Sequence, residues 1–182
     1  MYGNVILEGP DGGGKTTLIR HFLEKGMRQH PRASHSTGGP VPALDTWVTN
    51  HSNPGTGWVF DRHPLISEPI YGPICRNGVP GKFNDDRWVE DETRRCAADN
   101  VLVLCLPPYE IAHANARATG QMPGVLDEYV RIYEAYATLW WPGVILRYDY
   151  TRRWNVHDLM AHVDQVIDET AFKQERLGTW TA

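Results

Sequence analysis

Lysine is scarce in this chain: of 18 basic residues only four are lysines, and the other fourteen are arginines. The net charge is −4, so no general electrostatic attraction to nucleic acid or anionic membrane is expected, although a local basic cleft stays open. Three scattered cysteines, Cys75, Cys96 and Cys105, form no C-x-x-C pair. That excludes a disulfide framework and a cysteine zinc site. The eight histidines fall in no ligand pattern either, since His157 and His162 are five apart and do not share a helix face. No apolar run approaches the roughly 18 residues that span a bilayer. The first strand begins almost at the N-terminus, which leaves no room for a signal peptide, and a cytoplasmic location is expected. Internal repeats and low-complexity segments are absent. A 182-residue chain with 41% hydrophobic and 22% charged residues suits one globular domain over 1–182.

What is present is concentrated near the start. Glu8-Gly9-Pro10-Asp11-Gly12-Gly13-Gly14-Lys15-Thr16-Thr17 contains the phosphate-binding pattern G-x-x-x-x-G-K-S/T from Gly9 to Thr16. Val5-Ile6-Leu7 reads as a short buried strand before it. Leu18, Ile19, Phe22 and Leu23 recur at helical spacing after it. Strand, glycine-rich turn and helix N-terminus are the parts such a site needs. Glycines let backbone N–H groups close on phosphate oxygens, and the helix N-terminus adds positive potential. Gly9, Pro10, Asp11, Gly12, Gly13, Gly14, Lys15, Thr16 and Thr17 are therefore the predicted nucleotide-binding residues. Lys15 can reach the β- and γ-phosphates and the Thr16 hydroxyl can ligate Mg²⁺. The arginine excess suits phosphate handling by planar forked donors, and genome composition produces the same bias.

The remaining pattern alternates strands with helices. A first helix reaches about Gln29, and Ala33 to Thr37 reads as a weak second strand ending in Ser36-Thr37-Gly38-Gly39-Pro40. A helix over Pro42–His51 follows, then a turn at Asn53–Gly57 and a third strand, Trp58-Val59-Phe60, ending at Asp61-Arg62-His63. Pro64 opens a helix to about Arg76. Asn84 or Asp85 caps another helix to about Ala98. Val101–Leu106 is the clearest buried strand, followed by a helix over Tyr109–Ala118, an interruption at Thr119–Gly124 and a helical period from Val125 to Trp140. Val144–Tyr148 is the last strand, and Asn155 caps a helix to about Thr170. The tail, 171–182, has no strong pattern. The expected fold is a three-layer α/β P-loop architecture, with a parallel sheet of about five strands and helices on both faces. In such sheets ligands sit beyond the carboxyl ends of the strands. Gly9–Lys15, Ser36–Gly39, Asp61–His63 and Pro107–Pro108 then converge on one cleft.

Within that cleft Asp61 can hold the Mg²⁺ shell or take a proton from an attacking hydroxyl, and Arg62 can clamp phosphate oxygens. A helix-capping Asp beside a surface Arg is the plain alternative. Arg117 stands before the interruption and can swing over the transferring group on a lid at about 109–124; a solvated helix-end arginine is the alternative. The predicted catalytic residues are Lys15, Asp61, Arg62 and Arg117, with Thr16 and Asp61 on the metal. Asp11 either bonds an acceptor hydroxyl or shapes the turn. Ser67, Glu68, Tyr71, Arg76, Arg94 and Arg95 are acceptor-side candidates. Tyr129, Tyr133 and Tyr136 at helical spacing read as core and boundary residues.

These residues carry a likeness. The loop from Glu8 to Thr17 resembles the opening of thymidylate kinases and their deoxynucleoside-kinase relatives. Asp61-Arg62-His63, then Ser67 and Tyr71-Gly72, is similar to their D-R-Y/H/S-x-x-x-S-x-x-x-Y-x-G region. Asp99-Asn100 with the strand after it, Pro108-Tyr109-Glu110 and Arg117 resemble the P-D-L strand and lid entry. The resemblance covers about residues 3 to 170 and implies Mg²⁺-dependent transfer from ATP to a thymidine-like acceptor. By it, Asp11 faces the acceptor sugar, Arg62 and Arg76 face acceptor oxygens, and Arg117 belongs to the lid. The implied partners are a nucleotide donor and a pyrimidine nucleotide, nucleoside or modified-DNA acceptor, with a homodimer admissible and no membrane.

One departure matters. Thymidylate kinases carry an R-E-P-G-type segment after the second strand, whose arginine grips the acceptor phosphate. This chain has Ser36-Thr37-Gly38-Gly39-Pro40 there, with no basic residue. That departure admits an acceptor without a 5′-phosphate, or a phosphate held differently. Some phage enzymes of this family phosphorylate 5-hydroxymethyluracil within DNA, and the seven tryptophans suit stacking on an extruded base. The negative net charge weighs against that branch, and the free acceptor is ranked ahead. A regulatory NTPase switch without phosphoryl transfer is the remaining alternative. No lysine lies in an N/T-K-x-D base-reading motif, as a guanine-specific switch would require. A pure DNA-binding module is disfavoured by the acidic balance.

Overall fold

Five parallel strands form one sheet in the computed structural model, which describes residues 3–29, 44–51, 55–75, 86–121, 124–152 and 156–178. The strands are β1 (Asn4–Glu8), β2 (Arg28–Gln29), β3 (Trp58–Asp61), β4 (Asn100–Cys105) and β5 (Ile145–Tyr148). Their spatial order is β2-β3-β1-β4-β5, so β1 is central, with β3 on one side and β4 on the other. The helices are α1 (Lys15–Glu24), α2 (Leu44–His51), α3 (Pro64–Cys75), α4 (Asp86–Asp99), α5 (Tyr109–Ala118), α6 (Tyr129–Ala137) and α7 (Val156–Gly178). Because the chain leaves β1 for the β3 side and returns to the β4 side, the carboxyl end of β1 is the crevice where ligands bind in such sheets.

Alternation along the strands sorts the core into two layers. Val5 and Leu7 of β1, Val59 of β3, and Val101, Val103 and Cys105 of β4 pack with Leu18, Ile19 and Phe22 of α1 and Leu159, Met160, Val163 and Ile167 of α7. Ile6, Phe60, Leu102 and Leu104 point the other way, onto residues of α2 to α6 such as Val48, Ile66, Cys96, Ala112 and Ile132. Strands buried on both faces read as continuous apolar runs, which is why β1 and β4 are so legible. The three cysteines are all thiols. Among the described residues no helix is long and apolar enough to cross a membrane.

Three boundaries differ from expectation. The first helix stops at Glu24 rather than Gln29: Met27 N–H bonds the Phe22 carbonyl and Gly26 N–H bonds that of Leu23, with Gly26 at φ 89. This paired closure needs a left-handed residue, which glycine supplies at little cost. Leu23, expected on the buried face, is 37% exposed. The described second strand is Arg28–Gln29, on β3; the expected strand at Ala33–Thr37 lies outside the described residues. The last helix runs past Thr170 to Gly178, and the period expected from Val125 is helical only over Tyr129–Ala137. The caps at Asn84, Asp85 and Asn155, and Arg76, also lie outside the described residues.

Candidate functional site

The loop after β1 is shaped by close approach. At Gly9 (φ 140) a Cβ would stand 2.2 Å from the Cys105 carbonyl oxygen of β4. At Gly12 (φ 77) it would stand 2.2 Å from the Ala112 carbonyl oxygen of α5. No side chain fits at either place. Gly13 N–H closes a turn on the Pro10 carbonyl, and Gly14 (φ 90) leads into α1. Lys15 reaches back into the loop, its Nζ donating to the carbonyls of Gly9 (2.9 Å) and Pro10 (2.7 Å). It is 8% exposed. Burial, then the nearby Arg62 charge, lowers its pKa to about 8. Thr16 and Thr17 are exposed on the first turn of α1. The orphan N–H groups of that turn make it an anion site in principle.

Arg62 is the hub of the site. It is the one described non-glycine residue with positive φ (67), a conformation that costs an L-residue roughly 1–2 kcal/mol. Its backbone N–H bonds the Leu7 carbonyl (3.0 Å), which seats it beside the end of β1. Nη1 donates to the Gly9 carbonyl (2.9 Å) and to Tyr136 Oη (2.6 Å), and lies 3.5 Å from Glu8 Oε2. Nη2 donates to Asp11 Oδ1 and Tyr71 Oη, each at 2.9 Å. The guanidinium also stands 4.8 Å from the centre of the Tyr71 ring. Burial opposes its charge, but Tyr136, Tyr71, Asp11 and Glu8 together raise its pKa well above the ordinary value.

Glu8 is fully buried on the face of Ile6. It accepts the His63 N–H (2.7 Å) and the Tyr136 hydroxyl (2.8 Å). Burial raises its pKa even against Arg62. Asp11 behaves oppositely: burial pushes its pKa up, but Arg62, Lys15 and the Tyr71 hydroxyl bond (2.8 Å) outweigh that and hold it below the usual range. Tyr129 donates to the Asp11 backbone carbonyl. Asp61 ends β3 opposite Leu7, half-buried, and alternation puts it on the sheet face of Val59 and α1. Asp61 and Arg62 thus flank the end of β1 on opposite faces.

Of the remaining candidates, Tyr71 bonds Arg62 and Asp11. Arg117 is exposed on the last turn of α5. Arg94 pairs with Glu90 (2.6 Å), and Arg95 with Glu92, both along α4. Ser67 bonds the His63 carbonyl (3.2 Å), a bond within the start of α3. Glu68 is half-buried on α3. Tyr71 joins the hub as an acceptor-side candidate, and Tyr136 joins it although its spacing read as core. Glu8 is a member of the hub that the phosphate-binding pattern does not single out; alternation from the buried Ile6 is the signal that places it inside.

A further contact spans the loop from the far side. The Tyr150 ring packs against Gly14, where a Cβ would be 2.9 Å away, and its hydroxyl accepts from Asn115 Nδ2 of α5 (2.6 Å).

Neither a protein-family model nor a curated protein matches the sequence. Solved structures do match. The YorR protein of Bacillus subtilis, in complex with phosphorylated GDP, superposes with a TM-score of 0.66 at 15% identity, over 94% of this chain and 98% of that one. Deoxyadenosine kinase from M. mycoides with bound dCTP gives a TM-score of 0.59 at 12% identity, over 90% of this chain and 100% of that one. The same kinase with products dCMP and dCDP gives 0.53 at 11% identity, over 91% and 97%. With the five-stranded parallel sheet and the loop after β1, these matches establish that the chain has the P-loop kinase fold.

Proposed function

We propose that the protein is an ATP–Mg²⁺-dependent phosphotransferase that moves the γ-phosphate to a thymidine-like pyrimidine deoxynucleotide or deoxynucleoside in the cytoplasm. One arrangement carries the reading: the Lys15 ammonium and the Arg62 guanidinium meet on the Gly9 carbonyl at the carboxyl end of β1. Two cations held there can bind a polyphosphate tail and stabilise charge on a phosphoryl group in transit. The sequence likeness around Asp61-Arg62-His63, Ser67 and Tyr71 supplies the thymidine-like acceptor. The nucleotides in the solved structures of similar fold are consistent with a nucleotide donor.

The donor set fits magnesium. Thr16 and Asp61 offer a hydroxyl and a carboxylate, hard oxygen ligands of the number this ion takes from protein when phosphates and waters supply the rest. Among the described residues no cluster of three or more His, Cys, Asp or Glu forms a metal cage. When bound, the ion neutralises charge on the β- and γ-oxygens. For a hydroxyl acceptor, Asp61 takes the proton. Lys15 binds the phosphate tail, Asp11 orients the acceptor sugar, and Arg117 closes over the transferring group from a lid at 109–124.

An acceptor panel tests the reading: γ-labelled ATP with Mg²⁺ and dTMP, dCMP, thymidine, 5-hydroxymethyl-dUMP or DNA containing 5-hydroxymethyluracil. Label on a free pyrimidine acceptor is the expected result. Label on the DNA alone assigns the modified-base activity instead, which the uncharged segment Ser36–Pro40 favours. ATP hydrolysis with no labelled acceptor rejects the transferase and leaves a regulatory NTPase.

A further inference from the structure

The Arg62 guanidinium sits between two tyrosine–carboxylate pairs built alike. On one edge the Tyr136 hydroxyl donates to Glu8 Oε2 (2.8 Å) and accepts from Nη1 (2.6 Å). On the other edge the Tyr71 hydroxyl donates to Asp11 Oδ2 (2.8 Å) and accepts from Nη2 (2.9 Å). The pairs differ in access to water. Glu8 and Tyr136 are both 0% exposed, whereas the Asp11 side chain is 23% exposed on the loop itself.

That difference decides which edge can exchange partners. A guanidinium presents its N–H groups in one plane, so each edge can hold one planar or tetrahedral oxyanion. At the outer edge an incoming phosphate brings more charge than Asp11, and water can solvate the carboxylate it displaces. At the inner edge nothing can replace Glu8, and parting the pair leaves an uncompensated buried charge. Glu8 is also tied to the backbone that aims Arg62. Its Oε1 holds the N–H of His63, the residue after the left-handed turn. Burying a carboxylate costs several kcal/mol, and an apolar residue would continue the Ile6 face more cheaply.

We infer that Glu8 and Tyr136 are positioning residues. They form a fixed anchor on Nη1 while phosphate oxygens of the bound nucleotide take over Nη2 from Asp11 and Tyr71. The inference rests on the phosphotransferase reading only for the identity of the anion. On binding, Arg62 keeps its place, and the Asp11 carboxylate is released toward the cleft for an acceptor hydroxyl.

The test joins a kinetic split to a spectroscopic one on the full chain. Nitrogen-15 spectra of the Arg62 guanidinium are followed during titration with inorganic pyrophosphate. The Nη2 resonance is expected to shift while the Nη1 protons stay slow to exchange. Tyr136→Phe, which removes one oxygen, should abolish the Nη1 protection and lower kcat about 10- to 100-fold, as loss of a bond to a charged group implies. Its donor and acceptor KM should stay within about twofold, because the groups that touch ligand remain. Glu8→Gln should do the same wherever it folds, while Tyr71→Phe should leave Nη1 protection intact. Movement of Nη1 with pyrophosphate, or an unchanged kcat in Tyr136→Phe, overturns the inference. If the wild type transfers no phosphate to any acceptor, the phosphotransferase reading fails, and the pyrophosphate titration still decides the anchor.

Discussion

Lys15 and Arg62 donate to the same oxygen: the Gly9 carbonyl takes Nζ at 2.9 Å and Nη1 at 2.9 Å. A carbonyl has two lone pairs, so it can serve both, but it brings two positive charges together in a shielded place. Arg62 stays charged there, with two carboxylates and two phenols around it. Lys15 yields instead: burial first, and then the Arg62 charge, lowers its pKa from 10.5 to about 8.

Nucleotide binding should therefore depend on pH. A bound polyphosphate favours the ammonium, so binding above pH 8 takes up a proton, and affinity falls by up to about tenfold per unit over that range. Calorimetry in two buffers of different ionisation heat measures the uptake; its absence at pH 8.5 contradicts the assignment. For stability the sign is opposite. The folded pKa of about 8 lies below 10.5, so the buried ammonium is unfavourable to the fold below pH 8. That penalty is relieved as pH rises from about 8 to 10.5, since the unfolded chain then holds the extra proton.

Lys15→Ala should lower turnover by on the order of 10³-fold or more while the protein still melts cooperatively. The change removes a buried charge whose bonds are to loop carbonyls, not to the core. Retained turnover with a normal melt would move the phosphate site elsewhere.

Asp61→Asn should cut kcat by about 10²- to 10⁴-fold with nucleotide affinity largely kept. Single-turnover transfer alongside equilibrium nucleotide binding separates the two. Normal turnover would remove Asp61 from both proposed roles.

Gly9→Ala and Gly26→Ala should differ sharply. Both glycines have positive φ, but Gly26 has nothing within 4 Å of a new Cβ, whereas Gly9 has a backbone oxygen at 2.2 Å. Gly26→Ala should cost about 1–2 kcal/mol of stability from backbone strain alone. Gly9→Ala should cost more than about 4 kcal/mol, or force the loop off β4 and lose nucleotide binding. Urea denaturation of both variants reads the difference.

Arg117→Ala should leave the melting temperature unchanged, because the side chain is exposed on the last turn of α5. If that arginine closes over the phosphoryl group, kcat falls at least about tenfold with nucleotide affinity within threefold. An unchanged kcat would return it to the solvated role.

Much of the frame was legible because it rests on strong periodic signals. Val5–Leu7 and Val101–Leu106 are apolar runs that must lie between layers, and both are central strands. The loop announced itself by its glycines, and the positions of Gly9 and Gly12 explain why no other residue serves. The second strand was harder to see: Arg28 and Gln29 are both exposed and give no alternation. Asp61 and Arg62 are adjacent in sequence, yet Asp61 shares the face of Val59, while Arg62, past the strand end with φ 67, bonds Tyr71 and Tyr136 on the face of Phe60. Tyr136 is both core and site, since its ring packs among apolar residues while its hydroxyl bonds Glu8. Helical spacing reports the first property and is blind to the second.

The phenols that brace the loop come from far along the chain, Tyr129 on Asp11 and Tyr136 on Glu8, more than a hundred residues downstream. A nascent polypeptide on the ribosome thus displays the glycine-rich segment long before its supports exist. The braced form of the loop is then a late event in biosynthesis, since Tyr129 and Tyr136 arrive only with α6.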